Sequence, residues 1–431
     1  MSSDWPLKYL EQIADEVTVG YVGPMASEYV ESGVPFLRSL NIEPFGVNTN
    51  DIKFITPEFH RRIKKSALRP GDVAIVRTGK PGTCAVIPDW LEDANCSDLV
   101  LVKCGREIRP RFLCYWVNSV ASHHISSHTV GAVQQHFNVG AAKIMKVAVP
   151  SLQAQDEVIA VLGGLDERIV LLRETNATLE AIAQALFKSW FVDFDPVRAR
   201  MEGRDPEGMD EATAALFPDG FEESEFGLIP RGWRVGTLGA ILKLRNERIQ
   251  ASEHTASLPY VPIESIGANI PFLQEFKSGQ DANSSLALFR KGDVLFGAMR
   301  PYFHKVCTAP FDGVTRTTVF TLTPINSKAN AFALFQAYQN STIDYATQHS
   351  EGSTIPYTKW KNSMELMPLV LPSESVQVAF SFVVSSFIDR GNSNVLQAQN
   401  LATLRDTLLP RLISGQLRLP EAEALLEEAC A

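Results

Sequence analysis

The chain repeats itself, and this restricts the folds open to it more than any other feature. Trp5 and Leu10 near the start recur as Trp233 and Leu238, an offset of 228 residues. Leu68-Arg-Pro-Gly-Asp-Val73 recurs as Phe289-Arg-Lys-Gly-Asp-Val294 at 221, and Val149-Pro150-Ser151 as Leu371-Pro372-Ser373 at 222. After each Pro-Ser a long helix-like segment begins, with glutamine at matching places, Gln155 and Gln377. Near-constant offsets over about 150 residues define two copies of one unit, a mixed globular block followed by a long helix.

The blocks read as α+β. Asp72–Val76 and Asp293–Phe296 are short β-rich runs, each preceded by a glycine suited to a turn. Ser97–Lys103 and Thr317–Thr323 are further strand candidates. Arg111–Val120 and Ala331–Asn340 read as helices at matching places, and Lys146–Pro150 and Met367–Pro372 as the strands closing each block.

From Gln155 to Trp190 there is no proline over 36 residues, roughly 54 Å of helix. Leu165, Ile169, Leu172, Asn176, Leu179, Ala183, Leu186 and Trp190 follow alternating steps of four and three, a heptad seam with Asn176 as its polar, register-setting member. The second helix, about Glu374 to Leu412, offers a less regular seam of Ile388, Asn392, Val395, Leu401, Leu404, Leu408 and Leu412. One seam needs a partner, so the two helices are expected to pack on each other. Gly163-Gly164 costs about 1 kcal/mol per residue in helix propensity and predicts a kink or a helix start there. Between the copies, Asp193 to Gly232 reads as a packed hinge with a short helical piece near Glu211–Leu216. The expected organisation is residues 1–152, first block; 153–191, first helix; 192–229, hinge; 230–372, second block; and 373–431, second helix and tail.

Charge follows the same division. The net charge is −9, yet residues 1–150 hold 16 basic and 15 acidic residues and 231–372 hold 14 and 10, whereas 151–230 hold 6 and 17. A polyanion would therefore meet the blocks, and the acidic middle would face something else. The longest apolar-leaning run has 11 residues, short of the about 20 a membrane-spanning helix needs. Six cysteines without a C-x-x-C pair, and an opening Met1-Ser2-Ser3-Asp4-Trp5 without signal character, lead to the expectation of a cytoplasmic protein with free thiols.

Catalytic signatures do not emerge. Arg77-Thr-Gly-Lys-Pro-Gly82 has the composition of a phosphate loop without its spacing, Asp210-Glu-Ala-Thr213 is the start of a short helix, and Asp193-Phe-Asp-Pro196 resembles an amino-methyltransferase motif only superficially. His123, His124 and His128 have spacing that could hold zinc but lack a fourth ligand nearby, so no metal is expected.

Binding chemistry remains. In the first block Arg61, Arg62, Lys64 and Lys65 form a tight basic run, with Arg77 and Lys80 downstream and an amide-rich loop holding Gln134, Gln135 and Asn138. Glutamine and asparagine can pair with adenine bidentately, and arginine with guanine. The second block offers Arg245, Arg248, Arg300, Tyr302, His304 and Lys305, and a loop with Thr354, Tyr357 and Lys359. Phosphate contacts would position each block and loop side chains would read bases.

Three phrases carry a family resemblance: Leu186-Phe-Lys-Ser-Trp-Phe-Val-Asp-Phe-Asp-Pro-Val-Arg198 with Leu216–Phe221 and Gly227–Trp233 behind it, the paired Pro…Gln helix starts, and Leu408-Leu-Pro-Arg-Leu-Ile-Ser-Gly-Gln-Leu417. With the duplication, they make the chain resemble the specificity (S) subunit of Type I restriction–modification systems over essentially its whole length. The resemblance implies an α+β fold of two tandem α/β target recognition domains separated by two long antiparallel helices, related by a pseudo-twofold. It also implies that each block reads one half of a bipartite, asymmetric double-stranded DNA site, and that the helix pair acts as a ruler for the spacer. Two modification (methyltransferase) subunits would dock on the helices, and restriction (motor-nuclease) subunits would join them. The chain itself would be non-catalytic and without a cofactor, S-adenosylmethionine, ATP and Mg belonging to the partners. The competing expectations are a helical scaffold with two protein-binding modules and no DNA role, motivated by the net acidity and the seam, and a self-sufficient methyltransferase, disfavoured by the missing cofactor loop.

Overall fold

The structure, a computed structural model, describes residues 5–128, 136–282 and 285–430. Each block is built on an antiparallel four-stranded sheet. In the first, β1 (Ala14–Val19), β2 (Val73–Val76), β3 (Cys84–Val86) and β4 (Leu99–Cys104) lie in the order β3-β2-β4-β1. In the second, β5 (Leu242–Leu244), β6 (Val294–Gly297), β7 (Val306–Thr308) and β8 (Val319–Pro324) lie in the same order, β7-β6-β8-β5. The register matches too: Val73 faces Val86 and Val102, and Val294 faces Thr308 and Leu322.

Every residue of β2 is buried because both faces of this sheet are covered. Val73 and Ile75 point into a core shared with helix Pro110–Asn118, and Ala74 and Val76 into one shared with Leu37, Leu68 and Leu101. The second cover is a five-stranded sheet in which strand 34–37 runs parallel to 94–96, as 259–260 does to 313–316 in the other copy. The copies differ at the edges. The first block adds strand 29–30 beyond 53–55, and the second adds 248–249 beside 286–289. Closing strand Lys146–Ala148 pairs with Leu7–Tyr9, and Pro368–Leu371 with Arg234–Thr237.

The repeated anchors have physical reasons. Gly71 and Gly292 sit at φ +85° and +86°, and the following aspartates fold back to accept the Arg69 and Arg290 amide N–H, both at 2.8 Å. Leu10 and Leu238 are fully buried, their N–H groups donating to Met145 and Met367 carbonyls, both at 2.9 Å. Gln155 and Gln377 donate side-chain N–H groups to the Pro150 and Pro372 carbonyls at 3.0 and 2.9 Å, satisfying backbone just ahead of each long helix.

Those helices are α1 (Leu152–Phe191) and α2 (Glu374–Ile413), 40 residues each. Contrary to the expectation of a break, α1 runs through Gly163-Gly164. A Cβ at Gly163 would stand 3.2 Å from the Arg111 guanidinium, so the missing side chain lets Arg111 approach and bond Glu167 at 3.1 Å. Helix continuity here is decided by packing, which overrides propensity. The hinge folds as helix Asp195–Met201, a short helix Glu211–Ala214 capped by Asp210, and a hairpin of 221–224 with 227–230. Among the described residues no helix is long and apolar enough to cross a membrane.

Two compact units result, residues 1–167 with 401–431, and residues 168–400, so that each contains part of both helices. In the first unit Val158 and Leu162 of α1 share a core with Leu408, Leu409 and Leu412 of α2. In the second, Phe380 and Val384 of α2 share one with Phe187 and Trp190 of α1. These are equivalent positions, an offset of 222 in every case. Each block therefore packs on the start of the helix that follows it and on the end of the other.

Candidate nucleic-acid interface

A reading surface has to be exposed, polar and held by a rigid scaffold. Strand β2 runs into the loop Arg77–Gly82, and in that loop the Arg77 carbonyl accepts the Phe137 N–H at 3.0 Å. In the second block the Ala298 carbonyl accepts the Thr358 N–H at 3.0 Å. Both partners stand at the offset of 221. The isolated bridges Thr78–His136 and Met299–Tyr357 repeat the correspondence. One main-chain device thus clamps the loop after the second sheet strand to the loop that comes late in the block, and it does so in both copies.

The clamped loops carry different side chains. In the first block Arg77 is half-buried, its guanidinium on His136 and on the Phe137 carbonyl, and Thr78 bonds the other nitrogen of His136 at 3.2 Å. Burial draws the Arg77 pKa down while Asp98 raises it. Lys80 projects into solvent. Arg61, Arg62, Lys64 and Lys65 lie elsewhere in the block, on helix Pro57–Arg62 and the turn after it, over a core of Phe36, Ile55, Phe59 and Ile63. All four are exposed. Arg62 stacks on Phe59 at 4.6 Å and pairs with Glu28 at 3.3 Å. Gln134 and Gln135 lie outside the described residues.

In the second block a cleft of about 240 Å³ opens beside β5 and β8, lined by Arg248, Tyr357, Lys359 and Lys361 with Asn246 and Thr317. Burial raises the Tyr357 pKa and Arg248 lowers it. Lys359 is exposed and pairs with Glu351 at 2.7 Å. Thr354 is exposed on the same loop, and Tyr302 is exposed on the clamped one. Sequence reasoning passed over Asn246, Thr317 and Thr78. The offset of 221 from Met299 points to Thr78, but the two cleft residues had no comparable signal.

Four of the expected DNA-contact residues are engaged in bonds within their own block. His304 is 6% exposed and its ring nitrogen donates to the Tyr338 carbonyl at 2.7 Å, with burial lowering its pKa. Lys305 turns inward to the carbonyls of Ile263 and Ile266, both at 2.8 Å. Arg245 is clamped to the buried Asp293 at 2.6 and 3.0 Å and bonds Glu247, which raises its pKa. Asn138 caps helix Val139–Lys143 by accepting the Ala141 N–H at 2.9 Å. Arg300 is half-buried with a left-handed backbone, and its N–H donates to the Pro356 carbonyl. The histidines fold into local bonds: His124 reaches the Ala141 carbonyl, His128 the His124 carbonyl, and their rings stack at 4.1 Å.

The helix seam is buried at Leu165, Ile169, Leu172, Asn176, Ile388, Val395 and Leu408, and partly so at Leu179, Leu186 and Leu404. Beyond Ala183 the buried stripe takes in Phe187 beside the seam residue Trp190, because a straight helix drifts about 20° per heptad from a strict seam. Asn176 donates to the Gly391 carbonyl at 3.0 Å and accepts from Asn394 at 2.8 Å. In the other unit Asp166 bonds Arg405 at 2.9 Å and Tyr115 at 2.6 Å. Within both units the contacts run in opposite sequence directions, so the helices are antiparallel.

No family model matches the chain. It is 22% identical over 441 residues to the Type I restriction enzyme MjaIX specificity subunit of Methanocaldococcus jannaschii, covering 97% of this chain and 94% of that one. To the Type I restriction enzyme HindI specificity subunit of Haemophilus influenzae it is 24% identical over 327 residues, 63% of this chain and 69% of the relative. The crystal structure of a Type I restriction–modification S subunit from M. genitalium superposes with a TM-score of 0.55 over 95% of this chain and 96% of that one, at 14% identity. The curated relatives of this chain are thus Type I restriction enzyme specificity subunits, the family that its hinge, its duplication and its paired helices resemble.

Proposed function

We propose that the protein is the DNA-specificity subunit of a Type I restriction–modification complex. Each block reads one half of a bipartite, asymmetric site in double-stranded DNA, and the antiparallel helix pair sets the unread spacer. One observation carries this: the same hydrogen bond, Phe137 to Arg77 and Thr358 to Ala298, fixes the same pair of loops in both copies while the side chains on them differ. One scaffold with two sets of letters is what reading an asymmetric site requires.

The chain does no chemistry in this reading. Two methyltransferase subunits dock on the helices, and motor-nuclease subunits join for restriction. The acidic middle and exposed apolar helix residues such as Leu171, at 50%, and Phe382, at 83%, suit protein partners. A base inside a duplex is out of reach, so the target adenine must be extruded into a methyltransferase pocket.

The test is filter binding of the assembled complex over a salt series, with exchange of residues 1–150 for a foreign block. Affinity should fall steeply with salt as counterions are released, and the exchange should alter one half of the methylated sequence alone. Binding indifferent to salt, or a change in both halves, would overturn the proposal.

A further inference from the structure

We propose that Tyr302 and Phe303 form an aromatic wedge that stacks into a base step of the half-site read by the second block. The inference rests on the DNA-reading role proposed above. The two rings are 49% and 47% exposed and stand 4.8 Å apart at 55°, whereas Phe296, Phe320, Phe332 and Phe335 of the same block are buried. Rings left in water forgo the transfer free energy that buries the others.

Their loop is also held. The turn Pro301–Phe303 lies between Arg300 and His304, both at φ 50°, a left-handed conformation that costs a non-glycine residue energy. On one side the Arg300 N–H is fixed to the Pro356 carbonyl at 2.7 Å. On the other, His304 is fixed to the Tyr338 carbonyl and its ring packs on Tyr338 at 4.6 Å, while the Lys305 ammonium is tied to two further carbonyls. Four inward anchors thus hold two outward rings in a preset position, so little side-chain or loop entropy remains to be lost on binding. The same loop is clamped to the segment carrying Tyr357 and Lys359, so the rings share a scaffold with cationic groups that suit a phosphate backbone.

A ligand that suits rigid exposed π-faces beside such cations is the face of a nucleobase. Apolar and aromatic side chains that enter a base step unstack it and kink the duplex, and base–aromatic stacking is strong and tolerant of sequence. The first block lacks the device: at the offset of 221, Lys80, Pro81 and Gly82 stand where Pro301, Tyr302 and Phe303 stand. The wedge should therefore distort one half-site only.

The experiment uses the full chain assembled with its methyltransferase partners and duplexes carrying the site mapped from methylated positions. 2-Aminopurine is placed singly along both half-sites, away from the methylated adenines. Binding should raise its emission at one or two positions in the half-site assigned to the second block by block exchange, and nowhere in the other. Tyr302→Ala or Phe303→Ala should abolish that rise and weaken binding roughly 10- to 100-fold while leaving the salt slope unchanged, and Tyr302→Phe should preserve both. If an alanine variant loses its thermal transition, Tyr302→Gln and Phe303→Gln, which keep bulk with neither a π-face nor an apolar wedge, must show the same losses. Wild-type binding without emission change, or variants that bind and fluoresce like wild type, would overturn the wedge alone. Absence of salt-dependent DNA binding by the wild-type complex would overturn the reading beneath it.

Discussion

On the proposed function the register of the helix pair sets the spacer, and Asn176 with Asn394 is where that register can be tested. Asn176 is 5% exposed and Asn394 1%. Their amides meet at 2.8 Å, and Asn176 donates onward to the Gly391 carbonyl at 3.0 Å. Asn176→Leu removes both bonds and leaves the Asn394 amide buried without its acceptor, a penalty of about 1–3 kcal/mol. Asn394→Leu strands Asn176 at similar cost. The leucine's own apolar burial offsets part of each loss, but that contribution is additive and cancels in a double-mutant cycle. The double variant strands nothing, so it should be close to wild type or more stable, with a coupling free energy of about 2–6 kcal/mol, the sum of the two single losses. Urea unfolding followed by circular dichroism and by tryptophan fluorescence gives the four corners, provided the two probes coincide. In the assembled complex the same double variant should broaden the set of methylated spacings, because a seam without its polar member no longer forbids neighbouring registers. Additive single effects, or a double variant as destabilised as their sum, would refute this account of the pair.

Arg245→Ala should cost about 3–5 kcal/mol of stability in urea unfolding, since it leaves Asp293, 2% exposed, without its bidentate partner; a variant as stable as wild type would make Arg245 a surface contact after all. Gly292→Ala should destabilise by about 1–2 kcal/mol through its φ of +86° alone, because nothing lies within 4 Å of the added carbon, and Gly71→Ala should match it. Burial raises the Glu180 carboxyl from 4.5 to about 7 despite hydrogen bonds from Tyr338 and Gln184. A raised native pKa favours the protonated form, so the stabilisation is present in full below 4.5 and is lost as pH rises through about 7. Glu180→Gln should flatten the dependence of melting temperature on pH between 5 and 8, and an unchanged slope would place its origin elsewhere.

The architecture was legible in the residues taken in order. Repeated anchors such as Arg-x-Gly-Asp and Pro…Gln exist because a left-handed turn and an unsatisfied carbonyl make the same local demand twice, and local demands are written in adjacent residues. The long helices were legible to within three residues at each end for the same reason, and so were the first three apolar positions of the seam. Tertiary structure decided the fate of individual polar side chains. Lys305 and Tyr302 belong to one six-residue stretch of basic and aromatic character, yet the ammonium turns inward to the Ile263 and Ile266 carbonyls and the phenol ring turns outward. Arg245 reads as a free cation until Asp293, 48 residues away, is seen beneath it. Which groups are left free for a partner depends on contacts distant in the chain and on burial. Both are set by how the sheets and helices pack, so composition and spacing could locate the paired loops but not which of their side chains stay exposed.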